Sequence, residues 1–261
     1  MTSGPLDGRG AVVTGGGRGI GAAVARALAE AGAQVVVAAR TAGDVEKVAA
    51  ALRERGGRAH AVAYDVTDEE SVKRLGEAAR YHLGAVDILV NNAGASASAP
   101  LHKTTLEEWN RMLLANATAT FLVTREFTPA MVERRWGRVV NVASVAGLEG
   151  AKYIAHYSAA KHAVVGFTRS IAVELASSGV TANAICPGYV DTQMTDRTLA
   201  IVESRAGLSH DMALAAVLAT TGQDRLITPE EVAASVLALC MEDTGGVTGQ
   251  AILLRGGVRT P

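Results

Sequence analysis

The sequence predicts an α/β protein: a doubly wound, seven-stranded parallel sheet with helices on both faces. Three observations carry this. Short β-branched runs alternate with longer helix-prone segments along the chain, the order that builds parallel sheets through crossover helices. Most of the runs are continuously apolar rather than alternating, as strands covered on both faces must be. The 28 glycines are clustered, not periodic, which points to tight turns or close backbone approach to a ligand rather than a low-complexity chain.

The elements follow in order. Strands are expected over residues 11–13, 34–38, 59–63, 88–90, 139–142, 181–185 and 251–254, and helices over 20–31, 45–55, 69–83, 106–119, 159–177 and 230–239. Asp68 stands where the N-cap of the third helix belongs. Thr228 does the same for the last, with Pro229 at the first helical position, where a missing N–H costs nothing. One segment breaks the rhythm: 192–226 is long, helix-prone and lies between the sixth and seventh strands. Ligands of open α/β sheets bind beyond the carboxyl ends of the strands, so a lid insertion is expected over about 189–226. No linker, repeat or charge block divides the chain, and one domain is expected over 1–261.

Composition removes several classes of function. Hydrophobic residues are 49%, charged residues 20%, and the net charge is -1, so neither a nucleic-acid nor an anionic-membrane partner is indicated. Cys186 and Cys240 are too far apart in sequence for metal-ligand spacing and too few for a disulfide framework, which suits a reducing compartment, the cytoplasm. No histidine pair has zinc-site spacing, so no metal is expected. The first residues lack the apolar run of a signal peptide, and no apolar stretch reaches the roughly 18 residues of a membrane span.

The first strand runs straight into Thr14-Gly15-Gly16-Gly17-Arg18-Gly19-Ile20-Gly21, and a helix follows. Glycines there let backbone N–H groups approach a pyrophosphate, and the helix N-terminus adds favourable partial charge. That context makes the turn a dinucleotide-binding candidate and the domain a Rossmann fold. At the end of the second strand, where an acid would read the ribose 2′-hydroxyl of NAD(H), stand Ala38-Ala39-Arg40-Thr41. A carboxylate is missing, and Arg40, seconded by Arg18, suits the 2′-phosphate of NADP(H). NADP(H) is therefore favoured, with NAD(H) as the alternative.

The spacing T-G-x-x-x-G-x-G, together with Asn91-Asn92-Ala93-Gly94, Ser144, Tyr157-Ser158-Ala159-Ala160-Lys161 and Pro187-Gly188 in that order, resembles the short-chain dehydrogenase/reductase family. The likeness extends over roughly residues 6–257 and is strongest to bacterial 3-oxoacyl-thioester reductases, acyl-carrier- or CoA-linked, and polyketide-type ketoreductases. It implies that Gly15, Gly17, Arg18, Gly19, Ile20, Gly21, Arg40, Asp65, Val66, Asn92, Ala93, Gly94, Tyr157, Lys161, Pro187, Gly188 and Val190 hold the cofactor. It implies Asn116, Ser144, Tyr157 and Lys161 as the catalytic set. Asp65 is nearly as well suited to capping its own turn. For Asn116 the water relay with Lys161 that the resemblance implies is favoured over a burial satisfied by backbone.

Tyr157 and Lys161 are four apart, on one helical face. A free tyrosine has a pKa of about 10, and a neighbouring ammonium is expected to lower it, so that Tyr157 exchanges protons with the substrate oxygen. Ser144 would hydrogen-bond the same oxygen as charge develops. The resemblance thus implies hydride transfer between nicotinamide and a carbonyl or secondary alcohol, on a 3-oxoacyl thioester or polyketide-like ketone that is CoA- or carrier-protein-bound. The alternatives are an NAD-dependent alcohol or hydroxyacyl-CoA dehydrogenase and, in another class, a non-catalytic dinucleotide-binding module. The substrate pocket is expected from 95–101, 145–156 and the lid, with Leu148, Ile154, Met194 and Leu199 beside Glu149, Lys152 and His156. Arg197, Arg205 and Lys103 are candidates for the phosphates of a CoA or carrier arm, although plain solvation is the better-suited reading of each taken separately. A homotetramer or homodimer is implied. Arg255 departs from the family pattern, which commonly has Asp before the two glycines, and puts interface contacts there in doubt.

Overall fold

The structure, a computed structural model, describes residues 4–257; the ends of the expected domain, 1–3 and 258–261, lie outside the described residues. The strands are β1 (Gly10–Thr14), β2 (Gln34–Ala39), β3 (Arg58–Ala63), β4 (Ile88–Asn91), β5 (Gly137–Val142), β6 (Val180–Pro187) and β7 (Ala251–Leu254). They form one parallel sheet in the order β3-β2-β1-β4-β5-β6-β7. Chain direction across the sheet reverses between β1 and β4, and the crevice at that switch point is where such sheets bind ligands.

Successive strand residues point to opposite faces, and both faces are covered. Ala11, Val13, Val35 and Val37 pack with α1 (Gly19–Glu30), α2 (Ala42–Glu54) and α9 (Pro229–Cys240). Val12, Val36, Leu89 and Val139 pack with α3 (Glu69–Leu83), α5 (Ala119–Glu133) and the C-terminal end of α6 (Ala155–Glu174). The caps form as expected. Asp68 accepts from the Glu70 N–H, and Thr228 closes a capping box with Glu231, with Pro229 in the first turn.

The fourth helix differs from expectation. It does not end at 119. α4 (Leu106–Leu113) passes through a π-turn (Leu114–Thr118) directly into α5, so helix continues to Glu133. Pro129 inside α5 reads as a breaker, but burial of Val123, Phe127 and Met131 against the sheet outweighs the lost hydrogen bond. α6 starts at Ala155, four residues earlier than expected, which puts Tyr157 in its first turn. The expected lid contains α7 (Gln193–Ala206) and α8 (His210–Ala219) around a small core of Leu199, Ala213 and Val217. Among the described residues, no helix is long and apolar enough to cross a membrane, and no group of three or more His, Cys, Asp or Glu side chains could hold a metal.

Candidate active site and cofactor cradle

The glycine turn lies at the carboxyl end of β1, clamped to the end of β4. Asn92 Nδ2 donates to the Thr14 and Gly15 carbonyls at 3.0 and 3.1 Å. Thr14 Oγ1 in turn accepts from the Asn92 and Ala93 N–H groups at 2.9 and 3.1 Å. Gly21 has no room for a side chain: a Cβ there would stand 2.3 Å from the Gly15 carbonyl oxygen. Gly15 takes a φ of 63°, where L side chains are strained. The first N–H groups of α1 have no intrahelical acceptor, Arg18 at the cap makes no capping bond, and the first turn holds no acid. This is a donor-lined, side-chain-free cradle for an anion, so the residues present fit a dinucleotide pyrophosphate.

Arg18 and Arg40 are both exposed beside this turn. Asp44, which the sequence reading did not weigh, packs onto it: a Cβ on Gly17 would meet Asp44 Cβ at 2.9 Å. Its only sequence signal was an acid in the first turn of α2. Asp65 serves its own turn, accepting from the Thr67 N–H and hydroxyl at 2.9 and 2.7 Å, bonds that hold its carboxyl below the usual range. Val66 is half-buried against the core on the α3 side. Ile20 packs against the opposite core, where the Val190 side chain is itself buried.

Four expected residues converge past the ends of β4 and β5. The sheet positions them through a buried polar chain: Asn91 Nδ2 donates to Asn141 Oδ1 and Thr124 Oγ1, both at 2.9 Å, and Asn141 Nδ2 donates to Thr168 Oγ1 at 2.8 Å. Lys161 is buried, and its ammonium donates to the Val142 carbonyl at 2.9 Å. It lies 5.9 Å from the Tyr157 ring centre. Tyr157 interacts with Ser144, whose Oγ accepts from the Ala146 N–H at 3.1 Å. Asn116 sits at the centre of the π-turn and holds the backbone of Ala95 from both sides. Its Nδ2 donates to the Ala95 and Met112 carbonyls, both at 3.0 Å, and its Oδ1 accepts from the Ala95 N–H at 3.3 Å. Gly94 lies between Asn116 and Lys161: a Cβ on it would stand 2.6 Å from Asn116 Oδ1 and 3.7 Å from Lys161 Nζ.

The electrostatics differ from the expectation in one respect. Burial depresses Lys161 from 10.5 to about 8, because a buried ammonium loses its hydration. Burial also raises the Tyr157 phenol, the neighbouring Ser144 hydroxyl opposing this. The expected pull of Lys161 does not set the shift: its ammonium is turned to the Val142 carbonyl, and burial dominates.

Of the expected substrate-side residues, Glu149 and Lys152 are exposed, Met194 is partly exposed and Leu199 is buried inside the lid. His156 is fully buried rather than on the rim, with no hydrogen-bond partner for either ring nitrogen. Arg255 forms an ion pair with Glu149, joining the chain after β7 to the loop that follows Ser144.

The family model described as short chain dehydrogenase matches residues 9–201. The chain belongs to that family. It is an oxidoreductase of the short-chain dehydrogenase type. A monensin polyketide synthase putative ketoacyl reductase from Streptomyces virginiae is 40% identical over 95% of this chain and 96% of its own. The 3-oxoacyl-acyl-carrier-protein reductase of Aquifex aeolicus is 36% identical over 97% of this chain and 98% of its own. A crystal structure of an actinorhodin polyketide ketoreductase variant with NADPH superposes with a TM-score of 0.92, at 36% identity, covering 97% of this chain and 98% of that one. The short-chain dehydrogenase fold and the ketoreductase likeness read from the motifs both stand.

Proposed function

We propose that this short-chain dehydrogenase is an NADP(H)-dependent reductase of a 3-oxoacyl thioester or polyketide-like ketone. The observation that carries the reading is the convergence of Ser144, Tyr157 and Lys161 beyond the strand ends, beside the glycine cradle. The relatives named as ketoacyl and 3-oxoacyl reductases, and the NADPH in the neighbouring ketoreductase crystal, support the substrate class and the cofactor. Arg18 and Arg40 are the side chains assigned to the 2′-phosphate, and the N–H groups of Gly19, Ile20 and Gly21 to the pyrophosphate. Asn92, Ala93, Gly94, Pro187 and Gly188 form the walls.

Bound there, the dinucleotide supplies the hydride. The Tyr157 hydroxyl donates a proton to the substrate oxygen, and a raised phenol pKa keeps that proton in place until charge develops on the acceptor. Ser144 donates a hydrogen bond to the same oxygen. Lys161 holds the ribose side of the site, and Asn116 joins it through a relay water. The segment 189–226 closes over the substrate. Two buried, free cysteines suit a reducing cytoplasm. The exposed apolar side chains on the outer faces of α5 and α6 suit a homo-oligomer.

The test compares NADPH and NADH oxidation on acetoacetyl-CoA and on simple ketones. NADPH with the thioester is expected to be the preferred pair. Tyr157→Phe should lower turnover by about 10²–10⁴-fold with NADPH affinity retained. Equal turnover in that variant removes Tyr157 from the mechanism.

A further inference from the structure

Gln223 belongs to none of the motifs above. It follows α8, at the exit of the expected lid, and is 2% exposed. Its Oε1 accepts from the Tyr189 N–H at 2.7 Å and from Thr221 Oγ1 at 2.6 Å. Its Nε2 donates to the Tyr189 and Arg225 carbonyls, both at 3.1 Å. The amide's two donors and two acceptor sites are thus all engaged. One side chain therefore pairs with both the N–H and the C=O of Tyr189, as a neighbouring strand would. It also lies against Gly188, where a Cβ would stand 2.2 Å from Gln223 Oε1.

The backbone around it forms one framework. Gly188 donates its N–H to the Leu254 carbonyl at 3.0 Å, and Ile227 donates to the Tyr189 carbonyl at 3.0 Å. Asp191 donates to the Ile227 carbonyl at 2.8 Å, and Val190 and Ile227 form a parallel bridge. The loop at the end of β6 is thereby joined to the exit of the lid, and Gln223 is the side chain that spans the two.

We propose that Gln223 is a positioning residue: it sets the height of the Gly188-Tyr189 loop beside the nicotinamide and couples that loop to α7 and α8. This rests on the proposed assignment of Pro187 and Gly188 to the walls of the cofactor site, here taken as its nicotinamide side. Gly188 lacks a side chain because the Gln223 amide occupies that space. An apolar side chain at 223 leaves the Tyr189 N–H without its partner and unties the loop from the lid.

The test separates the two ends of the cofactor. Equilibrium binding of NADPH and of 2′,5′-ADP, which has the adenosine phosphates but no nicotinamide, is measured on the full chain and on Q223M. NADPH Kd is expected to rise about tenfold, in line with the loss of a buried hydrogen bond, while 2′,5′-ADP Kd stays within twofold. An unchanged NADPH Kd overturns the proposal, and so does an equal loss of both ligands, which is general loosening. Q223E carries the same test if Q223M does not fold. Its protonated carboxyl can donate to the Tyr189 carbonyl, so NADPH affinity should recover as pH falls. Weak binding at every pH overturns the proposal. A wild-type chain that binds neither NADPH nor NADH overturns the dinucleotide reading itself, a distinct result.

Discussion

Lys161 shows how a functional side chain opposes the fold that holds it. A buried ammonium with one hydrogen bond, to the Val142 carbonyl, is held at about 8. The unfolded chain restores the ordinary value of 10.5. Below about pH 8 both states are protonated and the full penalty is present; between pH 8 and 10.5 the folded state has already released its proton, and stability rises with pH. A fall from 10.5 to about 8 corresponds to about 3 kcal/mol, the bond to Val142 included. Lys161→Met should therefore be more stable than wild type at pH 7 by urea unfolding, by up to about 3 kcal/mol. That advantage should be gone by about pH 10.5, with turnover lost at every pH. A variant less stable at pH 7 would mean that the lysine is structural. The motif Tyr-x-x-x-Lys was legible in the sequence; the direction of both pKa shifts was not, since they depend on which groups surround the side chains.

At the scale of the element, the run from Leu106 to Glu133 is the instructive one. Its N-terminal part is legible from the amphipathic face, and Thr105, which is not among the caps expected from the sequence, caps it. Asn116 marks where regular helix is interrupted, because asparagine competes for backbone hydrogen bonds. What no local pattern shows is that the interruption is a π-turn and that helix continues beyond it, past Pro129. π-turns recur at functional sites because they re-aim a side chain, and here the turn delivers Asn116 to Ala95 and Gly94. Asn116→Ala leaves the Ala95 N–H and the Ala95 and Met112 carbonyls without their partner. It should cost about 1–3 kcal/mol in denaturant unfolding and lower turnover as well. Loss of turnover with unchanged stability would assign Asn116 to the relay alone.

For the whole molecule, the open question is what covers the outer faces of α5 and α6. Phe121 and Phe167 meet edge to face at 6.2 Å between ring centres, with Phe121 41% and Val173 79% exposed. Contiguous exposed apolar patches mark interaction sites, and aromatic side chains dominate the energetics of interfaces. If a second copy covers them, Phe121→Glu should reduce the mass seen by light scattering to a smaller species while the chain stays folded. An unchanged mass would place the interface elsewhere.

The sequence by itself determined the strands of the sheet, the glycine turn after the first of them and the motifs that single out Ser144, Tyr157 and Lys161 as candidates. These rest on local rules: continuous apolar strands, caps, glycines at a strand-to-helix turn, and an i, i+4 pair. Only the tertiary structure decided what those residues experience. Burial, not the Lys161 charge, dominates at Tyr157. Asp44 packs on Gly17, His156 is withdrawn into the interior, and Arg255 reaches Glu149 from the far end of the chain. Gln223, without any motif, holds the loop at the end of β6. Each of these depends on contacts between segments distant in sequence, where desolvation and hydrogen-bond partners are set by packing rather than by neighbours along the chain.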